Sequence, residues 1–298
     1  MAQARELRRR IRSVQSTRQI TKTMEMVATS KLKRAQDRVV AARPYAQALA
    51  EVLGDLYAPD RAERFPLLRQ PGPEGIRRVA VLLCTANRGL CGAFNANLIR
   101  EARRRIAELE AQGAQVELHL VGKKGVGFFK YSKRPIASQR TDIGDRPSAE
   151  HAQELIAPLL AQFEAGALDA VDVVYARFNS AIATPPTVQR VLPVEPVRRS
   201  GGPADASGAA ATADYILTPS ADAILEQLLP LYVRNQIYRA LVETAAGFYG
   251  AQRTAMKNAT DNAGEMLDLL RRTYNRARQA QITQELAEIV GGAEALNG

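Results

Sequence analysis

Tryptophan is absent from this 298-residue chain, aromatic side chains make up only 5% of it, and it has two histidines and two cysteines. His119 falls in a strand pattern and His151 in a helix pattern, so no metal-binding cluster and no nucleophile–histidine–acid triad can be assembled from them. Cys84 and Cys91 match neither a CxxC motif nor a secreted disulfide framework, which predicts unpaired thiols in a reducing setting. No apolar run approaches the ~18 residues needed to cross a bilayer, and the arginine-rich start lacks the apolar core of a signal peptide. Proline is also scarce at both ends. No glycine precedes Gly54, Pro44 is the only proline before it, and residues 231–290 contain no proline.

What fills these proline-poor stretches is helical spacing. Leu7, Ile11 and Val14, then Met24, Ala28, Leu32, Ala35, Val39, Ala42, Ala46, Leu49, Leu53 and Leu56 recur at steps close to three and four, marking one stripe. A helix from residue 3 to 56 is roughly 80 Å long, whereas a compact chain of this length has a radius of gyration of only about 19 Å. Pro44 is expected to bend the helix or divide it locally. At the other end, Leu241, Ala245, Phe248, Gln252, Ala255, Ala259, Asn262, Met266, Leu269 and Thr273 form a second stripe. The two helices are expected to bury each other as an antiparallel coiled coil, with alanines and Asn262 permitting close approach. Small seam residues bury little apolar surface per turn, so such a hairpin calls for an outer sleeve.

Between the helices the period changes. Strands are predicted at 77–86, 115–122, 136–141, 170–178 and 187–194, with helices at 97–113, 126–132 and 149–164. This alternation predicts an α/β domain inserted in a helical hairpin. The expected organisation is an N-terminal coiled-coil helix at 1–57, an α/β domain at 76–195, a mobile Gly/Ala-rich loop at 196–213 and a C-terminal coiled-coil helix at 219–298.

The net charge of +10 is localised: residues 1–43 carry nine arginines and three lysines against Glu6, Glu25 and Asp37. A basic helix beside a heptad-like pattern could bind nucleic acid. Here the basic residues interleave with the seam and no leucine recurs at every seventh position, which favours an acidic protein partner. Gly122–Gly127, GKKGVG, follows a strand as phosphate loops do, yet lacks the GK[ST] ending, leaving a phosphate-binding α/β enzyme as a second alternative. In residues 86–95, ANRGLCGAFN, the glycines suit a tight strand-to-helix turn. Nothing in the chain has the look of an active site or a cofactor site.

The segments ITKTMEMVATSKLKRAQDR, RGLCG, LLPLYVRNQIYRALVETAAGFYG, AMKNATDNAGEM and YNRARQAQITQELAEIVGGAEAL resemble the gamma subunit of the F-type rotary ATP synthase along the whole chain. The resemblance implies an antiparallel coiled coil with a Rossmann-like α/β domain at its foot. It also implies a rotor shaft, turned by proton flow, that drives ATP synthesis or hydrolysis on other chains and has no catalytic site or cofactor of its own. The implied partners are a hexamer of alpha and beta subunits as the sleeve, an epsilon subunit and a membrane ring of c subunits. The implied location is the cytoplasmic face of the cell membrane, peripheral and without insertion, and no nucleic acid is involved. By position, Arg278 and Gln279 match a polar catch with a beta-subunit loop, Met24 matches a shaft position facing that subunit, and Cys91 lies near its acidic lever. Where the family usually has arginine this chain has Gln252 followed by Arg253, so that second contact falls to one of these two. Asn87 stands where the turn commonly has aspartate.

Overall fold

The computed structural model describes residues 2–56, 64–70, 75–195 and 220–297 of the chain. The predicted mobile loop at 196–213 lies outside the described residues. Helix α1 spans Ala2–Leu56 without interruption, with Pro44 inside it. Of the two expected outcomes, a bend or a division, division does not occur. Proline removes one backbone hydrogen bond, but Val39 before it and Ala46 and Leu49 after it are all buried, and that packing holds both sides. The C-terminal helix, Ala221–Asn297, likewise runs through Pro230.

The elements between them follow the predicted order. They are β1 (Arg78–Cys84), α2 (Phe94–Ala111), β2 (Gln115–Val121), α3 (Lys123–Tyr131), β3 (Ser138–Arg140), α4 (Ala149–Glu164), β4 (Ala170–Ala176) and β5 (Pro186–Leu192). The C-terminal helix is α5. The sheet runs β3-β2-β1-β4-β5, parallel except for the antiparallel edge strand β5. This is the doubly wound arrangement, whose central strands are covered on both faces and therefore read as continuous apolar runs. RVAVLLC of β1 is buried from its second residue onward. Helix α4 starts on a capping box in which Ser148 accepts from the His151 N–H and His151 reaches back to the Ser148 N–H. That accounts for His151 structurally.

The chain divides into two compact units: residues 1–30 with 252–298, and residues 31–251. The division falls inside both long helices. In the α/β unit two apolar cores flank the sheet. One joins Leu49, Leu53 and Leu56 of α1 to α4 and to Leu225, Leu229, Val233 and Ile237 of α5. The other joins Leu32, Ala35 and Val39 to α2 and to Val242, Ala246, Phe248 and Tyr249. Residues 31–56 and 221–251 thus serve as layers of the α/β fold.

Candidate functional site

In the unit built from 1–30 and 252–298, small residues set the helix contact. Thr21 and Thr260 are buried with their hydroxyls 2.8 Å apart, and Thr260 Oγ1 also lies 2.9 Å from the Met256 carbonyl. The Arg18 side chain lies across Gly264, its Nε 3.6 Å from where a Cβ would stand. Arg8 donates to the Tyr274 hydroxyl at 2.8 Å. From 8 to 18 to 21 on one helix the partners fall from 274 to 264 to 260 on the other, which is an antiparallel register. In that register Ala2 lies level with about residue 280. The side chains of 282–292 are all exposed, so α5 continues there as a single helix among the described residues.

The face of α5 differs from the predicted one. Up to Phe248 the predicted stripe is buried or half-buried, but beyond Gly250 the buried positions are Met256, Thr260, Ala263 and Leu267, while Asn262, Met266, Leu269 and Thr273 are exposed. The predicted stripe is one residue out of phase, about 100° around the helix. Met266 and Leu269, 53% and 60% exposed, drew it toward solvent. Thr260 was overlooked because its hydroxyl is satisfied inside the seam, where a threonine costs little to bury. Close approach comes from Thr260, Ala263 and Gly264, and Asn262 plays no part in it.

Of the positions matched by resemblance, Arg253, Arg278 and Gln279 are exposed, while Met24 and Gln252 are half-buried. Arg278 and Arg253 are 25 residues apart on one helix, so they stand at levels separated by roughly 38 Å. Arg253, Lys257, Asp261 and Glu265 are all exposed along one stripe. A second exposed stripe is apolar: Ile282, Leu286, Ile289 and Val290.

Cys91 belongs to the α/β unit, and the turn that carries it is built for the fold. Leu90 and Gly92 both have positive φ, and Asn95 Oδ1 accepts from the Ala86 N–H at 2.9 Å while its Nδ2 lies 3.2 Å from Cys91 Sγ. Cys91 is only 3% exposed, and burial raises its thiol pKa against the opposing bond from Asn95. Both cysteines are free, and burial pushes the Cys84 thiol up to about 12. The large apolar side chain that this turn exposes is Leu90, at 62%. Sequence reasoning passed over it because an apolar residue with φ near +60° in a turn gives no periodic signal. Asn87 uses both ends of its amide, accepting from the Lys123 N–H at 2.9 Å and donating to the Ile143 carbonyl at 2.8 Å. A carboxylate could only accept.

The backbone donors at 122–127 are taken up by the chain itself, which corrects the phosphate-loop alternative.

 The first amides of α3 already have acceptors: Lys123 N–H donates to Asn87 Oδ1, Lys124 N–H to the Ala86 carbonyl and Gly125 N–H to Thr85 Oγ1. Gly122 has φ +96°, and a Cβ on it would stand 2.1 Å from the Thr85 carbonyl oxygen, so glycine serves strand packing here. Doubly wound sheets bind ligands beyond the carboxyl ends of their strands, where the strand order reverses. In this chain α5 fills that place beside β4. Glu243, buried and paired with Arg239 at 2.6 Å, accepts from the Phe178 N–H at 2.8 Å, and Thr244 Oγ1 accepts from the Ala176 N–H at 3.3 Å. The space left beside it, between Thr85, Asp145 and Phe248, is about 50 Å³.

One buried charge cluster was also missed. Asp172, in the middle of β4, is fully buried between Arg105 of α2 and Arg190 of β5, at 2.7 and 2.8 Å. The available signal was an acid inside an otherwise apolar strand, which requires a cationic partner.

The family model described as ATP synthase matches residues 3–296. A curated relative named ATP synthase gamma chain, from Gemmatimonas aurantiaca, is 65% identical over 300 aligned positions that cover all of both chains. Another of the same name, from Moorella thermoacetica, is 46% identical and covers 99% of this chain and 100% of the relative. Among solved structures, a chain in the Euglena gracilis mitochondrial ATP synthase assembly described as OSCP/F1/c-ring, rotational state 3, superposes with a TM-score of 0.66 at 21% identity. It covers 99% of this chain and 95% of that one.

Proposed function

This chain belongs to the gamma-chain family of the F-type ATP synthase, and from that premise we propose how its two units divide the work of a central rotor shaft. The shaft couples ion flow through the membrane sector to ATP synthesis or hydrolysis on other subunits. The paired helices of residues 1–30 and 252–298 are the part that a hexamer of alpha and beta subunits encloses. The observation that carries this reading is the single-helix end of α5, whose stripe of Ile282, Leu286, Ile289 and Val290 is exposed and apolar. A sleeve around that end removes the stripe from water, which supplies the stabilisation that a small-residue seam lacks.

The charged stripe Arg253, Lys257, Asp261 and Glu265 and the polar pair Arg278 and Gln279 are the proposed beta-subunit contacts, with Met24, Gln252 and the Cys91 turn beside them. Charge attraction is nondirectional and suits a surface that passes equivalent partners in turn. The α/β unit is the proposed seat for the epsilon subunit and the ring of c subunits, on the cytoplasmic face of the membrane. Catalysis is assigned to the beta subunits. Among the described residues, no helix is long and apolar enough to cross a membrane.

The test is rotation. The chain is reconstituted with an alpha/beta hexamer from a relative, a bead is attached to the α/β unit, and ATP is added. Stepwise one-way turning of the bead is expected, and an immobile bead on a complex that hydrolyses ATP at full rate refutes the assignment. A complementary cross-link uses Leu90→Cys rather than Cys91, whose thiol is buried. A disulfide from position 90 to a cysteine in the acidic lever should stop hydrolysis until it is reduced, whereas full activity at high cross-link yield argues for a static scaffold.

A further inference from the structure

Within the α/β unit, a cavity of about 330 Å³ lies between α1, the first half of α5 and the start of α4, and the rotor role makes no use of it. Its functional lining is Arg38 and Tyr45 of α1, Arg234, Asn235 and Tyr238 of α5, and Ala149 at the first turn of α4. The volume lies within the range of small-molecule sites, roughly 300–1,000 Å³.

Each polar side chain of the lining can donate a hydrogen bond. None of the lining residues is acidic. Arg38 is anchored by donating Nη1 to the Asp145 carbonyl at 3.0 Å. The half-buried Arg234 guanidinium makes no ion pair or hydrogen bond among the described residues. Asn235 is nine-tenths buried, and its Nδ2 has no hydrogen-bond partner among them. Buried amides are ordinarily paired, so a lone one beside an unpaired arginine marks a place for an acceptor from outside the chain. The amino end of the 16-residue helix α4 adds positive potential at the same wall, while Glu150 of that turn is exposed. Tyr45 and Tyr238 supply two aromatic walls.

We propose that this cavity binds a small organic anion with a flat apolar body, its anionic group held by Arg234 and Arg38 and its body set against Tyr45 and Tyr238. Arginine forks match a carboxylate or phosphate in two-point geometry, and aromatic rings cover a flat apolar group. A bound anion would clamp α1 to α5 inside this unit.

The probe is 4-azidobenzoate, photolysed on the full-length chain, with the label mapped by peptide mass. Saturable labelling of segments 41–45 or 231–238 is expected, with protection by benzoate and none by the uncharged benzamide. Arg234→Met should lower labelling about tenfold and Ala42→Phe, which fills the cavity, should remove it, both with unchanged helix content. Label scattered along the parent chain, equal protection by benzamide, or full labelling of Arg234→Met would overturn the proposal. So would loss of labelling once the chain is assembled into the purified ATP synthase, because an acidic group of a partner would then be the occupant. The parent-chain arm decides the matter even if a variant fails to fold.

Discussion

Leu267 and Leu269 are two residues apart on α5, and replacing each by alanine tests which face of the shaft is buried. Leu267 is 1% exposed, and Leu269 faces solvent. Losing a fully buried leucine side chain costs about 2–5 kcal/mol, the spread reflecting how far the surroundings collapse. In a two-helix contact lined by threonine, alanine and glycine, collapse is easy, so about 2–3 kcal/mol is expected. Leu269 keeps less than half of its surface out of water, and its loss should cost below about 1 kcal/mol. Hydrogen exchange of the full-length chain reads the difference directly. Where exchange reports local opening, 2–3 kcal/mol accelerates amides at 256–270 by roughly 30- to 150-fold, and 1 kcal/mol by about fivefold at most. In the assembled complex the order should narrow, because Leu269 then meets the sleeve. Equal acceleration by the two substitutions in the free chain, or a larger effect from Leu269→Ala, refutes the assigned face.

Three further outcomes follow from other parts of the molecule. Arg278→Ala with Gln279→Ala should leave the chain folded and able to assemble while lowering ATP turnover by about tenfold or more, since a hydrogen bond to a charged group contributes about 1.5–3 kcal/mol; unchanged turnover dissociates these residues from the catch. Gly122→Ala should cost about 3 kcal/mol or more in denaturant titrations, from positive φ and the 2.1 Å approach to Thr85, whereas Gly127→Ala, with nothing within 4 Å of the new Cβ, should be neutral or slightly stabilising. The third concerns acid. Burial lowers the pKa of His119 against the opposing charge of Glu117, so the unfolded chain takes up a proton first. Stability of the α/β unit should therefore fall as pH drops below about 6.5, the unfolded histidine value, and His119→Gln should flatten that limb of a denaturation series; an unaltered limb removes His119 as its source.

The legible parts of the fold were those where period and burial coincide. The α1 stripe from Ala28 to Leu56 and the apolar runs of β1 and β4 could be read because their large side chains point to one destination. Helix α4 was legible at both ends, since Ser148 starts it and Gly166 follows its close. On α5 beyond Phe248 the two signals separate. Met266 and Leu269 face outward there, and in the proposed assembly the surface that covers them belongs to the enclosing subunits. Thr21 and Thr260 went unread for the converse reason, being polar groups buried in a seam that satisfies them. Asp172 and Asn235 depend on residues distant in sequence, which spacing along one chain cannot reveal. Cys91 was placed in the correct turn, but its burial is set by Asn95 and the helix that follows.

The register that pairs residue 8 with 274 also sets where the shaft changes thickness. Up to about residue 280 two helices lie side by side, and past it one helix continues alone. A doubled rod resists bending and twisting more than a single one of the same material, so elastic compliance is concentrated in the last turns of α5. Within this unit stiffness is therefore graded along the described residues of α5.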